Sequence, residues 1–447
     1  IFFIIKIFCY YIQMSIAPVS SRILDPVFDR AGLRAEFRFP AQSLFQSDLR
    51  LINIGVIADT DGDQPNPLLG VMAAIKSITL MDGSTQLDAL NFATLWASFR
   101  NAHKSNDDNV SLQRFLKYVQ TGYTTQGLFQ VADEQIKLQE PIILEQSQQA
   151  YDVKQLDAQR AWISLKDLLP FLRSSLYLPT NVFRQLRLVI EYNSPAELTN
   201  LTRDATSVKT TSSDSLLLCE EVGDSDFKMA VMRQYKGVVF SPIEHEQVYV
   251  GEVQNLADAA GQRTVTQNAN FLLSGFNNKK LRRVAVVQQP TDAGIVVNNV
   301  VMGYGEMASV AAYQATYQFR VNGSNVLAGS GMAGSATGSY ANRRLAYLHD
   351  AWGVSNIFMG QNVSSLARLT NLQHPERVGQ QDYVGLKIDA QIAELQMNFS
   401  RVGVANPDGS TEFPNNILNQ PLNLHIFGEV DKAVIMNKDG SYNVVYL

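Results

Sequence analysis

Leu33-Arg-Ala-Glu-Phe-Arg-Phe39 alternates apolar and charged residues and stops at Pro40. That period of two marks a strand with one buried face, ended by a residue that cannot continue a ladder. The same style recurs outward along the chain. A second run covers 48–58 and ends in the turn-rich Asp59-Thr-Asp-Gly-Asp-Gln-Pro-Asn-Pro67; a third covers 74–81 and closes at Asp82-Gly83. Arg184-Gln-Leu-Arg-Leu-Val-Ile-Glu-Tyr192 is a fourth, stopped by Asn193-Ser194-Pro195. Further strand-like runs lie at 247–253, 270–276, 282–289, 315–321 and 386–399. The last pair, 422–436 and 442–447, flanks Asp439-Gly440, a hairpin signal because both positions tolerate positive φ. Helical patterning is confined to 86–101, with Leu87, Leu90, Phe92, Leu95, Trp96 and Phe99 close to one stripe, and to 165–176, where Pro170 limits regularity. Strands do not alternate with helices, which argues against a parallel doubly wound sheet.

The chain has 447 residues, enough for two large domains at roughly 100–200 residues each. The segment 195–215 concentrates Thr, Ser, Asn and Asp and has few apolar residues, so the division is expected at 205/206. The sequence predicts an all-β protein of two tandem antiparallel sandwiches with short inserted helices. Residues 14–205 form the first and 206–447 the second, and the eight-stranded jelly roll is the prime candidate for each. Residues 1–13 are apolar apart from Lys6 and Gln13, too short to span a bilayer, and precede Met14. They are expected to be an upstream extension or an arm.

Composition narrows the function. An apolar fraction of 46% with 9% aromatics is ordinary globular usage and excludes a largely disordered chain. Thirty-seven basic against 42 acidic residues leave a net charge of -5, so no overall pull toward nucleic acid exists. Cys9 and Cys219 make neither a disulfide framework nor a thiolate zinc site, and five histidines leave little for a metal cluster. Gly329-Ser-Gly-Met-Ala-Gly334 formally fits a dinucleotide fingerprint, but lacks the helical pattern that should follow, and reads as a small-residue loop. Asp59-Thr-Asp-Gly-Asp63 places its glycine fourth rather than sixth for a calcium loop and reads as a surface turn. His245 between Glu244 and Glu246 has no nucleophile motif beside it and reads as part of a solvated strand face. No catalytic, cofactor-binding or metal-ligating residue is nominated.

Several segments together are more specific. Leu33-Arg-Ala-Glu-Phe-Arg-Phe-Pro40, followed by Leu49-Arg-Leu-Ile-Asn-Ile54, resembles the opening strands of double jelly-roll major capsid proteins, nearest those of polinton-like viruses, adintoviruses and virophages. Ile75-Lys-Ser-Ile-Thr-Leu-Met-Asp-Gly83, then a helical segment and Phe99-Arg-Asn-Ala-His-Lys-Ser-Asn106, continue the likeness. Trp162-Ile-Ser-Leu-Lys-Asp-Leu-Leu-Pro170, Leu178-Pro179 and Leu186-Arg-Leu-Val-Ile-Glu-Tyr192 are similar to the close of that family's first barrel. The likeness covers about 30–195 and is mostly strand rhythm beyond.

The resemblance implies a non-enzymatic shell protein. A homotrimer of two-barrel chains would present six barrels and tile an icosahedral facet of a double-stranded DNA virus or virus-like element. Its partners would be copies of itself, neighbouring capsomers and minor or penton proteins, with no sequence-specific nucleic-acid binding and inner-membrane contact left open. The long excursions 101–159 and 322–377 suit contact loops, the second through Tyr340, Tyr347 and Trp352 between subunits; the alternative is that these aromatics cap their own barrel. Lys279, Lys280, Arg282 and Arg283 form the sharpest basic cluster. It is readable as a charged loop entering a strand, as a contact patch for genome, membrane or another capsid component, or as an import signal. Two rival readings are a minor capsid, vertex or spike protein, and a tandem β-sandwich carbohydrate-binding protein or hydrolase. The hydrolase should show paired carboxylates in a cleft.

Overall fold

The alternating stretch at 34–38 is a strand in which Ala35 and Phe37 are fully buried, and it anchors the first of two sandwiches. The computed structural model describes residues 19–30, 33–54, 74–102, 161–194, 215–251, 264–290, 315–328, 339–353, 384–404 and 421–447. It also describes short paired segments at 56–58, 64–65, 130–131, 134–135, 202–203, 208–210 and 332–333. The readings placed on 1–13, on 59–63 and on most of the two long excursions lie outside the described residues.

The first sandwich is built from β1 (Val19–Leu24), β2 (Phe28–Arg30), β3 (Arg34–Arg38), β4 (Leu44–Gln46), β5 (Arg50–Ile54), β6 (Ile75–Asp82), β7 (Thr85–Asn91), β8 (Ala161–Ser164), β9 (Tyr177–Pro179), β10 (Leu186–Tyr192) and β11 (Leu216–Val222). One sheet runs β2-β3-β10-β6-β7; the other runs β8-β5-β11-β4-β9, with β1 also laid along β11. All pairs are antiparallel, and register sets the core. Phe37 opposes Leu188, which opposes Leu80; Ala35 opposes Ile190, which opposes Ile78. With Phe45 and Leu51 from the second sheet, these residues form one buried cluster.

Two expectations need correction here. The helical stripe at 86–101 divides: residues 85–91 are strand β7, and the helix α1 spans Ala93–Ala102. Gly83, at φ +58°, turns β6 back on itself so that β7 pairs with it from Asp82↔Thr85 to Ser77↔Asn91. Strand pairing thus overrides the 3.6-residue spacing of Leu87 and Leu90. The sandwich boundary also falls later than 205/206. β11 pairs with β1, β4 and β5, so the polar stretch 195–215 precedes the strand that closes the first sandwich. The crossover follows Val222, through helix α3 (Ser225–Gln234), which comes after the short helix α2 (Pro170–Ser174). Asp224 caps α3, its carboxylate accepting from the Asp226 and Phe227 amides at 2.9 Å.

The second sandwich comprises β12 (Gly237–Phe240), β13 (Ile243–Val250), β14 (Thr264–Leu272), β15 (Lys280–Pro290), β16 (Ala315–Val321), β17 (Val384–Gln391), β18 (Leu395–Val404), β19 (Leu422–Val430), β20 (Lys432–Met436) and β21 (Tyr442–Tyr446). One sheet runs β13-β19-β15-β17, and its partner places β14, β18 and β16 side by side. A three-stranded flap, β12-β20-β21, is closed by the expected Asp439-Gly440 hairpin, with Gly440 at φ +82°. The chain is thus all-β in its main body: two antiparallel jelly-roll sandwiches with short helices between strands, as the sequence predicts.

The β13-β19-β15-β17 sheet is covered on both sides. Leu424 and Ile426 of β19, with Val284 and Val286 of β15, face the second sandwich's own core. Phe427 of β19, with Ala285 and Val287 of β15, faces the cluster that belongs to the first sandwich. Helix α4 (Ser339–Trp352) lies on β17 at Gly385, where an added Cβ would come within 2.4 Å of Leu348 and 2.8 Å of Trp352. Only a residue without a side chain lets the helix come this close. Gly385→Ala is expected to destabilise the chain by roughly 1–3 kcal/mol through overpacking. Urea unfolding checks it as a lower midpoint at unchanged slope.

Candidate assembly site at the junction of the sandwiches

Helix α1 presents Trp96 and Phe99, three residues apart and therefore on one face, away from the sheet that carries it. Its start is tied to the first sandwich: Thr94 donates to the Ile75 carbonyl at 2.8 Å, and Asn193 donates to the Thr94 hydroxyl at 2.9 Å. The second sandwich answers with Trp352 at the end of α4 and Phe427 on β19. Trp96 lies 5.2 Å from Trp352 and 5.4 Å from Phe427, centroid to centroid; Phe99 lies 5.5 Å from Trp352 at 85°. Beside them Phe171 of α2 meets Phe240 of β12 at 5.3 Å, and Phe183 meets Tyr442 of β21 at 5.3 Å. Edge-to-face pairs of this kind contribute about 0.5–1.5 kcal/mol each beyond area burial. At the margin, the Tyr442 hydroxyl donates to Asp82 at 2.7 Å and Arg100 donates to the Trp352 carbonyl at 3.4 Å.

Burial pushes His245, His425 and Asp88 at this junction toward their neutral forms. His245 of β13 and His425 of β19 stand 3.0 Å apart, Nε2 to Nδ1, one ring N–H donating to the other ring's bare nitrogen. Phe92 covers both, at 4.4 and 4.8 Å. Burial lowers His245 to about 4, and burial with the neighbouring ring lowers His425 to about 3. His245, itself half-buried, is therefore paired with the fully buried His425 rather than free on the solvated face expected of it. Its neighbours point elsewhere: Glu244 meets Lys279 and the Tyr446 hydroxyl, and Glu246 accepts from the Gly275 amide at 3.0 Å. Across the junction Asp88 of β7 is completely buried. Burial raises its carboxyl to about 7, against the opposing pull of the Phe171 amide at 2.8 Å and of Lys432.

The basic cluster is compensated within the fold. Lys279 lies 3.6 Å from Glu244 and 4.4 Å from the Tyr446 ring centroid; Lys280 and Arg282 share Asp431; Arg283 holds Glu429. Arg283 also donates to the Ala351 carbonyl at 2.6 Å and stacks over Trp352 at 4.3 Å. All four cations thus have carboxylate partners in the same chain. Trp352 is 5% exposed and donates to the Val284 carbonyl at 2.9 Å, packed within its own chain. Tyr347 packs on the second core, and Tyr340 is on the same helix with a side chain outside the described residues. Of the fingerprint at 329–334, Met332–Ala333 is a strand paired with β16. Among the described residues no group of three His, Cys, Asp or Glu is placed to hold a metal ion, and no helix is long and apolar enough to cross a membrane.

Junction residues absent from the sequence-based nominations are Asp88 and His425, whereas Phe92 falls in the stripe expected to be helical. The only signals of the first two are a lone acid between Leu87 and Ala89, and a histidine inside the apolar run 422–430.

Acid should loosen this junction. Between pH 4.5 and 6 the unfolded chain protonates both histidines and the folded chain neither, whereas Asp88 is protonated only in the folded chain. The unfolded state therefore binds one proton more from these three groups, and stability falls by about 1.4 kcal/mol per pH unit on acidification. His245→Gln/His425→Gln removes the two histidine contributions and leaves Asp88, whose folded form is favoured by acid; the three-group slope then reverses sign. Chemical denaturation across that pH range measures both. Arg283→Met strands the Glu429 carboxylate and should cost about 3 kcal/mol, whereas Arg283→Met/Glu429→Met should recover most of it; urea midpoints decide.

Comparison with known proteins bears on the fold. No protein-family model matches the chain, and no curated protein is similar to it in sequence. Solved structures do match. The VP54 protein of PBCV-1, fitted into a cryo-EM reconstruction of the virophage Sputnik, superposes with a TM-score of 0.56 at 12% identity over 96% of this chain and 97% of the other. A quasi-atomic model of the PBCV-1 virus capsid gives 0.50 at 12% identity over the same shares. The mavirus major capsid protein gives 0.49 at 9% identity, covering 96% of this chain and 90% of the other. Two jelly rolls docked through a continuous core, matched along nearly the whole length of both chains, give this protein the double jelly-roll fold of viral capsid proteins.

Proposed function

We propose that this chain is a major capsid protein that trimerises into a pseudo-hexameric capsomer and tiles the icosahedral shell of a double-stranded DNA virus or virus-like element. The observation that carries the reading is the junction itself. Trp96, Phe99, Trp352 and Phe427 hold two jelly rolls side by side in one polypeptide, so three copies would place six barrels in a ring. A three-fold object with a nearly six-fold outline packs on a flat facet, and closed symmetry is the common state of such assemblies. The similarity to the two PBCV-1 structures with the higher scores supports the same reading.

In this role the chain resides in the virion, its first partners are its own copies, and neighbouring capsomers and penton proteins are the next. Its work is structural, not catalytic. Sedimentation equilibrium of the purified chain should give a species of about 149 kDa, three times 49.6 kDa. Negative-stain images of that species should show a hexagonal outline. A stable monomer or a five-fold ring would overturn the proposal, the latter in favour of a vertex protein.

A further inference from the structure

On the outer face of the β2-β3-β10-β6-β7 sheet, far in sequence from the basic cluster of β15, Arg38 and Arg187 share a single carboxylate partner among the described residues. Arg38 and Arg187 stand directly opposite each other in the β3–β10 register. Like charges in that position repel unless an anion lies between them. Glu36 is that anion: Arg38 donates to it at 3.1 Å, and the guanidiniums of Arg187 and Arg34 come within 3.6 and 3.9 Å. One carboxylate with 8% side-chain exposure thus lies within ion-pair distance of three guanidiniums. Arg187 gives one N–H to the Gly83 carbonyl at 3.1 Å, and its Nε is buried without an acceptor. Arg184, exposed on the turn before β10, has no carboxylate within ion-pair distance among the described residues. Asp82, on the adjoining hairpin, is engaged by the Gln185 amide at 2.6 Å and the Tyr442 hydroxyl at 2.7 Å.

Arg38, Arg184 and Arg187 line one cavity of about 770 Å³, together with Ser84 and Gln185. A simple ladder of surface ion pairs would supply a carboxylate for each cation. Here the excess positive charge is gathered around a hollow, in a chain whose net charge is -5. The planar guanidinium fork matches phosphoryl oxygens, and the hydroxyl and amide of the lining are further donors. The volume suits a compact ligand.

We propose that this cavity binds a compact phosphoryl oxyanion through Arg38, Arg184 and Arg187. A soluble polyphosphate and the phosphate of a lipid headgroup present the same oxygens, so the site is defined by that chemistry. The inference is independent of the capsid reading.

Titration calorimetry of the full chain with sodium pyrophosphate, against sodium chloride at matched ionic strength, tests the soluble source. Co-sedimentation with phosphatidylcholine vesicles, with and without phosphatidic acid, tests the lipid one. Saturable binding is expected in at least one arm and weakens roughly tenfold or more in Arg184→Gln and in Arg38→Gln. Arg320→Gln, on the other sandwich, should bind as the parent does. Pyrophosphate at ten times its dissociation constant should raise the melting temperature by roughly 1.5 °C. Arg184 is exposed, so its variant retains the parent's melting temperature without ligand, and its loss of binding reads on the site alone. Binding confined to the vesicle arm and lost in the variants assigns the lipid source. No binding in either arm, or binding unchanged in Arg184→Gln and Arg38→Gln, overturns the proposal.

Discussion

Burial of one β-sheet on both faces is the constraint on which the molecule depends. The β13-β19-β15-β17 sheet gives alternate side chains to two interiors, Leu424 and Ile426 to its own sandwich, Phe427 to the first. Parallel sheets are usually the ones covered on both sides; here an antiparallel sheet reaches the same state because a second sandwich takes the place of solvent. The two jelly rolls are thereby joined by a continuous core rather than by a linker, and the hydrophobic contribution of the junction is part of the stability of each.

The chemistry of the junction follows from that burial. Ionised groups are too costly there without a partner, so the two histidines are held neutral and share a hydrogen bond, and Asp88 is held toward its acid form. The full charge of Arg283 enters with a partner, Glu429, and is further held by a carbonyl and an indole ring. Charged groups at this site are organised by the inside of the protein. The outer arginines of the first sandwich show the opposite arrangement, with cations left in excess at a hollow.

Much of this was legible in the residues. The alternation at 33–39, the run at 184–192 and the Asp439-Gly440 turn each gave the element they indicated, because there the local period and the tertiary pairing agree. The reading failed where they disagree. Residues 86–91 carry helical spacing, yet the Gly83 turn commits them to a strand beside β6. The polar segment 195–215 resembles a linker, yet β11 beyond it belongs to the first sandwich. Trp352 looked like a loop aromatic, since nothing in its local sequence tells that Trp96, some 250 positions earlier, lies against it. The basic cluster and His245 were visible, but their partners Glu429, Asp431 and His425 come from a strand and turn far along the chain. A pairing of that range leaves no local mark.

One consequence concerns how β19 finds its alignment. In an ordinary half-buried strand, sliding by a single residue would throw oily side chains into water, and that alone forbids it. A strand greasy on both sides lacks this safeguard: a slipped copy would still hide its leucines and phenylalanines. What discriminates is the sparse set of misfits. Arg283 lies directly across from Glu429, His425 requires His245, and Gly428 leaves room for the Phe276 ring, which an added Cβ would meet at 2.2 Å. The least oily residues of the strand thus act as its alignment pins.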